Sequence, residues 1–565
     1  MPNIDFKGKQ FIFSHHHTVS FRNLKLNNAK SYNSKNADIS KENLIIEGDN
    51  LNSLKALLPN FSNKIKCIYI DPPYNTGNEG WCYNDNVNSP LIKEWLKKNA
   101  NPVDREDLER HDKWLCMMYP RLKLLHELLS EEGIIFISID DNEINNLRCL
   151  MDEIFGEYNF VSQITAQLNP RGRTLDKYLA KTHEYILVYA KDINNGGIYE
   201  VEKNEDQQSD YKKEDKNGKY RPLELRNRNP VFNRKNRPNL YYPIYTNERG
   251  TKISLIKKDD IDIEVFPVNS KNEDGCWTWG TKKLKENVDL IEASKTKSGK
   301  WRIFRKDYLY REDNIATTKE KALWTDKNIN NENGKEILTE IFGNCPFDFP
   351  KSVDLVKKCI KIATKPNANH IVLDSFAGSG TTGHATLDLN SEDKGNRKFI
   401  LIEMESYANK ITAERIRKIS KGITHSKNKK LKDGYKSSFS YLELGEEINI
   451  EKILNGEGLP SYETLAKYAF YTATGLALPN FLENKNFFVG KTEFYEIYLI
   501  YKPDISYLRS NESALNNEKL DVISKNSKNK KLVFATSKFM SQKDLNKSNI
   551  VFCQLPYAIH SSFLK

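Results

Sequence analysis

Two short strings carry residue types and spacings that could do chemistry. The first is Asp71-Pro72-Pro73-Tyr74. It follows an apolar run, residues 65–70, of the kind that fills a buried strand. Two prolines can neither continue a strand nor donate to its ladder, so the strand stops there. They also fix the backbone direction beyond the strand end. The Asp71 carboxylate and the Pro72 carbonyl then stand as two rigid acceptors, with the Tyr74 ring as a π-face. Two adjacent acceptors match an exocyclic amine, which has two N–H bonds. Accepting both hydrogens favours a pyramidal nitrogen and frees its lone pair for attack on a methyl sulfonium. Adenine N6 is such an amine, and Tyr74 can stack on a base that has left its duplex. The expected catalytic residues are Asp71, Pro72, Pro73 and Tyr74.

The second string is Gly378-Ser379-Gly380-Thr381-Thr382-Gly383, literally G-x-G-x-x-G. It follows the strand-like Ile371-Val372-Leu373 and opens a helical pattern, and Glu403 ends the next apolar run 20 residues past Gly383. In that setting glycine lets the backbone approach a ligand, and the later carboxylate accepts from ribose hydroxyls. The fingerprint points to an adenosine-containing cofactor and leaves NAD, FAD and S-adenosylmethionine open. It lacks the Gly-Lys-Ser/Thr ending of a phosphate-binding loop. Asp374 precedes the first glycine by four positions, with Phe376 between. An acidic, aromatic-lined turn suits the sulfonium and ammonium of S-adenosylmethionine, whereas a pyrophosphate prefers N–H groups. The expected cofactor residues here are Asp374, Phe376, Ala377, Gly378, Ser379, Gly380, Thr381, Thr382 and Glu403.

The surrounding elements must position these strings. Residues 44–160 alternate strand-like and helix-like runs, and residues 331–445 return to that rhythm. Between them, residues 161–330 are rich in Asn, Lys, Arg, Tyr and Trp, which reads as an inserted domain. Residues 1–43 are polar and aperiodic and read as an arm, and residues 446–565 read as a further small α/β domain. The fold class expected is α/β. At 565 residues the chain has room for roughly three or four domains. No apolar run reaches the ~18 residues of a membrane span, and residues 1–20 lack the order of a signal peptide, so a cytoplasmic protein is expected. Eight cysteines form no C-x-x-C pair, which excludes a zinc ribbon or a disulfide framework. His15, His16 and His17 read as part of a polar stretch, and no metal site is expected.

The net charge is +11, and residues 161–330 hold 34 Lys and Arg against 26 Asp and Glu. Basic character concentrated in one region suggests a polyanion partner. Residues 221–237 contain Arg221, Arg226, Arg228, Arg234, Lys235 and Arg237 with asparagines interleaved. Arginine suits guanine edges and phosphates, and asparagine suits adenine edges. These six, with Arg171 and Arg173, are the expected contacts to double-stranded DNA. Trp277, Trp279 and Trp301 read more readily as a small core than as stacking platforms.

Asp71-Pro-Pro-Tyr-Asn-Thr-Gly77 together with Asp374-Ser-Phe-Ala-Gly-Ser-Gly-Thr-Thr382 resembles the amino-methyltransferases of DNA. Asp-Pro-Pro-Tyr is that family's adenine-N6 form, whereas cytosine-N4 enzymes usually carry Ser first. The catalytic string precedes the insertion and the cofactor string comes after it, which is the family's circularly permuted β arrangement. The resemblance implies a Rossmann-like S-adenosylmethionine-dependent methyltransferase fold with an inserted target-recognition domain. It also implies that Gly48-Asp49-Asn50 contacts the cofactor adenine, which adds Asp49 and Asn50 to the expected cofactor residues. The segments 110–122, 136–143, 323–326, 347–351 and 396–403 resemble the modification subunits of type III restriction–modification systems. That family often has Lys-Pro where this chain has Lys351-Ser352. The activity implied by the resemblance is site-specific methylation of DNA at adenine N6. The implied partners are a second copy in a homodimer and a restriction (helicase–nuclease) subunit. The competing readings are a solo adenine methyltransferase, a non-catalytic recognition subunit, and a nicotinamide oxidoreductase, which leaves Asp71-Pro-Pro-Tyr74 without a role.

Overall fold

The computed structural model describes residues 4–34, 39–77, 110–172, 178–269, 271–311, 314–448, 458–479, 481, 486–524 and 529–555. Its largest element is a ten-stranded sheet. In chain order the strands are β1 (Arg22–Leu26), β2 (Leu44–Glu47), β3 (Ile65–Ile70), β4 (Leu129–Ile139), β5 (Phe160–Ala166), β6 (Glu184–Ala190), β7 (Leu323–Trp324), β8 (Ile371–Asp374), β9 (Lys398–Glu403) and β10 (Ser440–Glu447). Their order across the sheet is β1-β10-β2-β9-β8-β3-β4-β6-β5-β7. From β10 to β4 every pairing is parallel. β6 is antiparallel to both β4 and β5.

Buried parallel strands need helices on both faces, and the helical segments supply them. They are α1 (Asn50–Phe61), α2 (Arg110–Leu128), α3 (Ile144–Phe155), α4 (Asn331–Phe342), α5 (Val353–Ala363), α6 (Thr381–Asp393) and α7 (Glu414–Lys421). The period-two alternation of strand side chains divides the core. Leu44, Ile46, Ile400 and Ile402 pack with α1, α2 and α3 in one cluster. Ile45, Phe399 and Leu401 pack with Leu387 of α6 and Ile416 and Ile419 of α7 in another. Asp49 caps α1 by accepting from Asn52 N at 2.9 Å, and Ser352 caps α5 by accepting from Asp354 N at 3.2 Å. Where the resembled family has proline, this chain starts α5 with a hydrogen-bonding cap.

Two expected boundaries move. The insertion expected over 161–330 is a compact unit over 200–320. Its predicted flanks belong to the main sheet, because the apolar face of Glu184–Ala190 is buried against β4. The polar arm expected over 1–43 is part of the main core: Phe6, Ile12 and Val19 are buried in it, and Arg22–Leu26 forms an edge strand beside β10. Its helices, Lys9–Ile12 and His15–Thr18, are each four residues long, too short to show a helical period.

The 200–320 unit has its own core. Its antiparallel sheet contains Gly218–Glu224, Ile291–Lys295 and Trp301–Tyr308. Trp277 and Trp279 are buried with Leu225, Ile244, Val265 and Ile303, and Trp301 packs at the edge of that cluster. These tryptophans are core, as their sequence context suggested. Residues 458–555 add a four-stranded sheet, β11 (Phe488–Lys491), β12 (Tyr495–Leu499), β13 (Lys530–Ala535) and β14 (Ile550–Gln554), over helix α8 (Tyr462–Thr474). Among the described residues, no helix is long and apolar enough to cross a membrane.

Gly334 lets α4 press on the segment leading to Lys351. A Cβ there would lie 2.9 Å from the Lys351 carbonyl oxygen and nearer still to that of Pro350. Alanine raises helix propensity by about 1 kcal/mol, but overpacking against backbone costs about 1–3 kcal/mol. Gly334→Ala is therefore expected to lower the melting temperature. A rise would show that this segment yields.

Candidate active site

β3 and β8 lie side by side, with Val372 opposite Cys67 and Leu373 opposite Ile68. Asp71 and Asp374 therefore leave the sheet together, at the carboxyl ends of adjacent parallel strands. Chain order departs from spatial order here, and α/β sheets form their ligand crevice at such a point.

Asp71 Oδ1 is buried and accepts no hydrogen bond. The Lys351 ammonium lies 3.4 Å from it, close enough for an ion pair. The Pro73 carbonyl is taken by the indole N–H of fully buried Trp114 at 2.7 Å. Among the described residues, no hydrogen bond reaches the Pro72 carbonyl. Tyr74 donates its hydroxyl to Glu184 Oε2 at 2.8 Å. Lys351 Nζ donates to the Tyr74 oxygen and to Glu184 Oε2, both at 2.6 Å. Burial pushes the Asp71 carboxyl above the usual range; Lys351 opposes that rise and Glu184 adds to it.

Beyond Tyr74, Asn75 takes the left-handed conformation at φ 61°. Its Nδ2 donates to Glu143 Oε1 at 2.5 Å and to the Arg110 carbonyl at 3.2 Å. Glu143 is fully buried and is also bonded to His111 Nδ1 at 2.6 Å and by Asn146 at 2.8 Å. The Asp-Pro-Pro-Tyr string is thus pinned by two elements that follow it in the chain, α2 through Trp114 and Arg110 and the start of α3 through Glu143.

In the glycine turn, Gly378 and Gly380 have φ of 51° and 80°, values that favour glycine. Gly378 N donates to Glu403 Oε2 at 2.7 Å, and Thr412 Oγ1 donates to the Gly378 carbonyl at 2.6 Å. Asp374 accepts from Phe376 N at 2.9 Å and from Thr382 Oγ1 at 2.5 Å. Buried Arg415 donates to the Ser379 carbonyl, Ser379 Oγ and Thr381 Oγ1 at 3.2, 3.1 and 2.9 Å. Asn50 Nδ2 reaches the Ser375 carbonyl at 3.4 Å. Arg121 bonds Asn50 Oδ1 at 2.5 Å and lies 3.5 Å from Asp49. Asp49, Asn50 and the turn therefore form one assembly, with Ala377 buried and Phe376 half-buried against the core. Burial pushes Asp374 and Glu403 each up to about 7. Among the described residues, no Lys or Arg figures in the causes of either shift. Two buried acids lacking a cation fit a cationic ligand.

Sequence reasoning missed Lys351, Glu184, Trp114, Glu143 and Arg415. Trp114, Glu143 and Lys351 lie in segments whose resemblance was noted without assigning them a role, Glu184 and Arg415 lie outside those segments, and only the fold brings each to its partners.

The expected DNA-contacting residues divide. Arg221 pairs with Asp307 at 2.8 Å, and Arg226 with Glu224 at 3.1 Å, both half-buried. Glu224 also holds Arg302 at 2.6 Å. Arg228, Arg234, Lys235 and Arg237 are exposed, with Arg228 3.6 Å from Glu224 and Arg234 3.5 Å from Asp274. Arg171 is exposed and 3.5 Å from Glu332, both in the main unit outside 200–320, and Arg173 lies outside the described residues. Away from these groups, ligand atoms of His16, His17 and Glu127 lie within 4.8 Å of one another.

A family model described as DNA methylase matches residues 65–414. The Mod subunit of the type III restriction-modification enzyme EcoPI, from Escherichia phage P1, is 33% identical over 440 residues, covering 72% of this chain and 66% of that subunit. The type II methyltransferase M.KpnI of Klebsiella pneumoniae is 35% identical over 366 residues, covering 64% of this chain and 81% of that enzyme. The StyLTI Mod subunit of Salmonella typhimurium is 33% identical over 377 residues, covering 65% of this chain and 53% of that subunit. The chain thus spans about two thirds of one Mod subunit, half of the other, and most of M.KpnI.

The two raised acids make a pH prediction. Their unfolded values are about 4, so between about pH 4 and 7 the folded chain holds more protons than the unfolded one. Their contribution to stability is complete below about pH 4 and is lost as pH rises through 7. Asp374→Asn removes one of them. The fall in melting temperature from pH 5.5 to 8 is expected to be smaller in the variant than in the parent. An equal or larger fall would contradict the shift at Asp374.

Proposed function

This chain belongs to the N6/N4 DNA methylase family, and we propose that it transfers a methyl group from S-adenosylmethionine to N6 of an adenine flipped out of double-stranded DNA. The observation that carries this reading is Asp71 Oδ1, a buried acceptor without a hydrogen-bond donor at the end of a central strand. Beside it the Pro72 carbonyl is a second open acceptor. An amine with two hydrogens satisfies both. The Asp at the head of the string supports adenine over cytosine.

S-adenosylmethionine, when bound, supplies an electrophilic methyl on a cationic sulfur. Asp49, Asn50, Asp374, Phe376, Glu403 and the 377–382 turn are the residues that would hold it. Asp374 would meet its positive charge, Glu403 would accept from its ribose hydroxyls, and the glycines would admit its adenosine to the backbone. Asp71 and the Pro72 carbonyl hold the target amine by its two hydrogens, so its lone pair points away from both. The Tyr74 ring gives the base a surface to stack on, offsetting the few kcal/mol of unstacking. Exposed Arg228, Arg234, Lys235 and Arg237 supply cations to the DNA backbone and bases.

The likeness to two Mod subunits supports a place as the modification subunit of a cytoplasmic type III system, with a second copy and a restriction subunit as partners. The fuller coverage of M.KpnI favours a solo methyltransferase as the second reading. Analytical ultracentrifugation of the chain, alone and with a co-expressed helicase–nuclease, separates the two.

The direct test is transfer of labelled methyl from S-adenosylmethionine to unmethylated DNA, followed by nucleoside analysis. Label is expected in N6-methyladenine. Asp71→Ala is expected to cut the rate by at least about 10²–10³ while DNA binding is kept. Label in N4-methylcytosine would replace adenine by cytosine. No label in any base, with DNA still bound tightly, would make the chain a recognition subunit.

A further inference from the structure

Lys351 is a buried cation drawn from a part of the chain remote from Asp71. It lies just before α5, Glu184 opens β6, and Tyr74 follows β3. Of its N–H bonds, one meets the Tyr74 oxygen and one Glu184 Oε2, each at 2.6 Å. The ammonium lies 3.4 Å from Asp71 Oδ1, yet Oδ1 accepts no hydrogen bond. Lys351 therefore lends Asp71 its charge without occupying the lone pairs of that oxygen. Its backbone is braced by α4, which the absence of a Cβ at Gly334 allows to approach.

We propose that Lys351 and Glu184 are positioning residues for the methyl-transfer site: the ammonium keeps Asp71 an ionised, open acceptor, and Glu184 holds that ammonium and the Tyr74 hydroxyl in place. This rests on the methyltransferase reading above. It assigns a role in the reaction to two residues outside the catalytic string and the glycine turn, with the Lys351 carbonyl accepting from Thr381 Oγ1 of that turn at 3.4 Å.

The groups that face Asp71 are Lys351, Glu184 and Tyr74, with Tyr69 of its own strand and Asp374 of β8 also within its field. Methyl transfer needs Asp71 ionised, so activity falls as pH drops through its titration. Burial and Glu184 raise that titration, and Lys351 lowers it. Removing the cation must therefore move the acidic limb of the pH profile up, and removing the Glu184 charge must move it down. Lys351 is itself raised from its ordinary value and stays charged throughout.

The experiment measures kcat/KM for DNA methylation against pH in the full chain, for Lys351→Met, Lys351→Arg and Glu184→Gln. Lys351→Met is expected to lose at least about tenfold at pH 7 and to recover most of it by pH 9. Lys351→Arg is expected to keep the parent's limb, and Glu184→Gln to shift it to lower pH. Limbs that stay in place in both charge-removing variants, with rates scaled uniformly, would reduce the pair to a structural role and overturn the proposal. A second measurement needs no methylation. Melting temperatures of Lys351→Met, Asp71→Asn and the double variant form a cycle. Non-additivity is expected, with Asp71→Asn partly rescuing Lys351→Met, and additive effects would overturn the proposal. If the parent chain methylates no DNA, the proposed function fails and the cycle still decides the pairing of Lys351 with Asp71.

Discussion

The pairing of β3 with β8 joins two segments that lie on either side of the 200–320 unit in the chain, and its register places Leu373 against Ile68. Both strands are short, apolar and buried, so neither has a solvent-exposed alternative. A slip of one residue would turn every buried side chain to the wrong face. Fixing that register fixes where Asp71 and Asp374 emerge. The target-amine acceptors and the glycine turn then share one sheet edge, though one precedes the 200–320 unit and the other lies beyond it in the chain.

Around that edge the fold concentrates acids that ordinary stability would avoid. Asp71, Asp374 and Glu403 are all raised by burial, and the charges of Asp71 and Glu403 raise Asp374 further. Among the described residues an ion pair reaches only Asp71, from 3.4 Å and without a hydrogen bond to Oδ1. The other two are satisfied by neutral donors: the Thr382 hydroxyl and the backbone N–H groups of Phe376, Gly378 and Glu405. Neutral donors fill the lone pairs and leave the negative charge unmatched. A cationic ligand at this turn would therefore gain from a field the fold has already built, at the cost of some stability near neutral pH.

How much of this was legible in the sequence depends on how local each feature is. The Asp-Pro-Pro-Tyr string and the glycine turn are local, since proline and glycine dictate backbone within a few residues, and both stand where expected. The parallel strands were legible for the same reason, as apolar runs ended by turn residues. The illegible features depend on distant partners. Lys351 is one lysine among many until β3 and β6 bring Asp71 and Glu184 to it. Glu184 fell within the insertion expected over 161–330, when its strand belongs to the main sheet. The first 43 residues read as polar because their anchors, Phe6, Ile12 and Val19, are isolated apolar positions. Within the basic cluster, composition could not separate the half-buried Arg221 and Arg226, paired with Asp307 and Glu224, from the exposed Arg228 and Arg234, which make longer pairs with Glu224 and Asp274.

The glycine turn also shows why a flexible residue can serve a rigid site. Gly378 and Gly380 supply φ values that other residues reach only with strain, yet neither is left loose. Glu403 holds the Gly378 N–H, Thr412 holds its carbonyl, and Arg415 holds Ser379 and Thr381 from behind. Burial without a carboxylate partner lowers Arg415 to about 9, a penalty borne by one arginine to fix three oxygens of the turn. A turn fixed in this way keeps its shape before any ligand arrives. Less conformational freedom is then lost on binding, and more of the interaction energy remains as affinity. Glycine is needed here for the path of the backbone, and the surrounding side chains remove the mobility that glycine would otherwise bring.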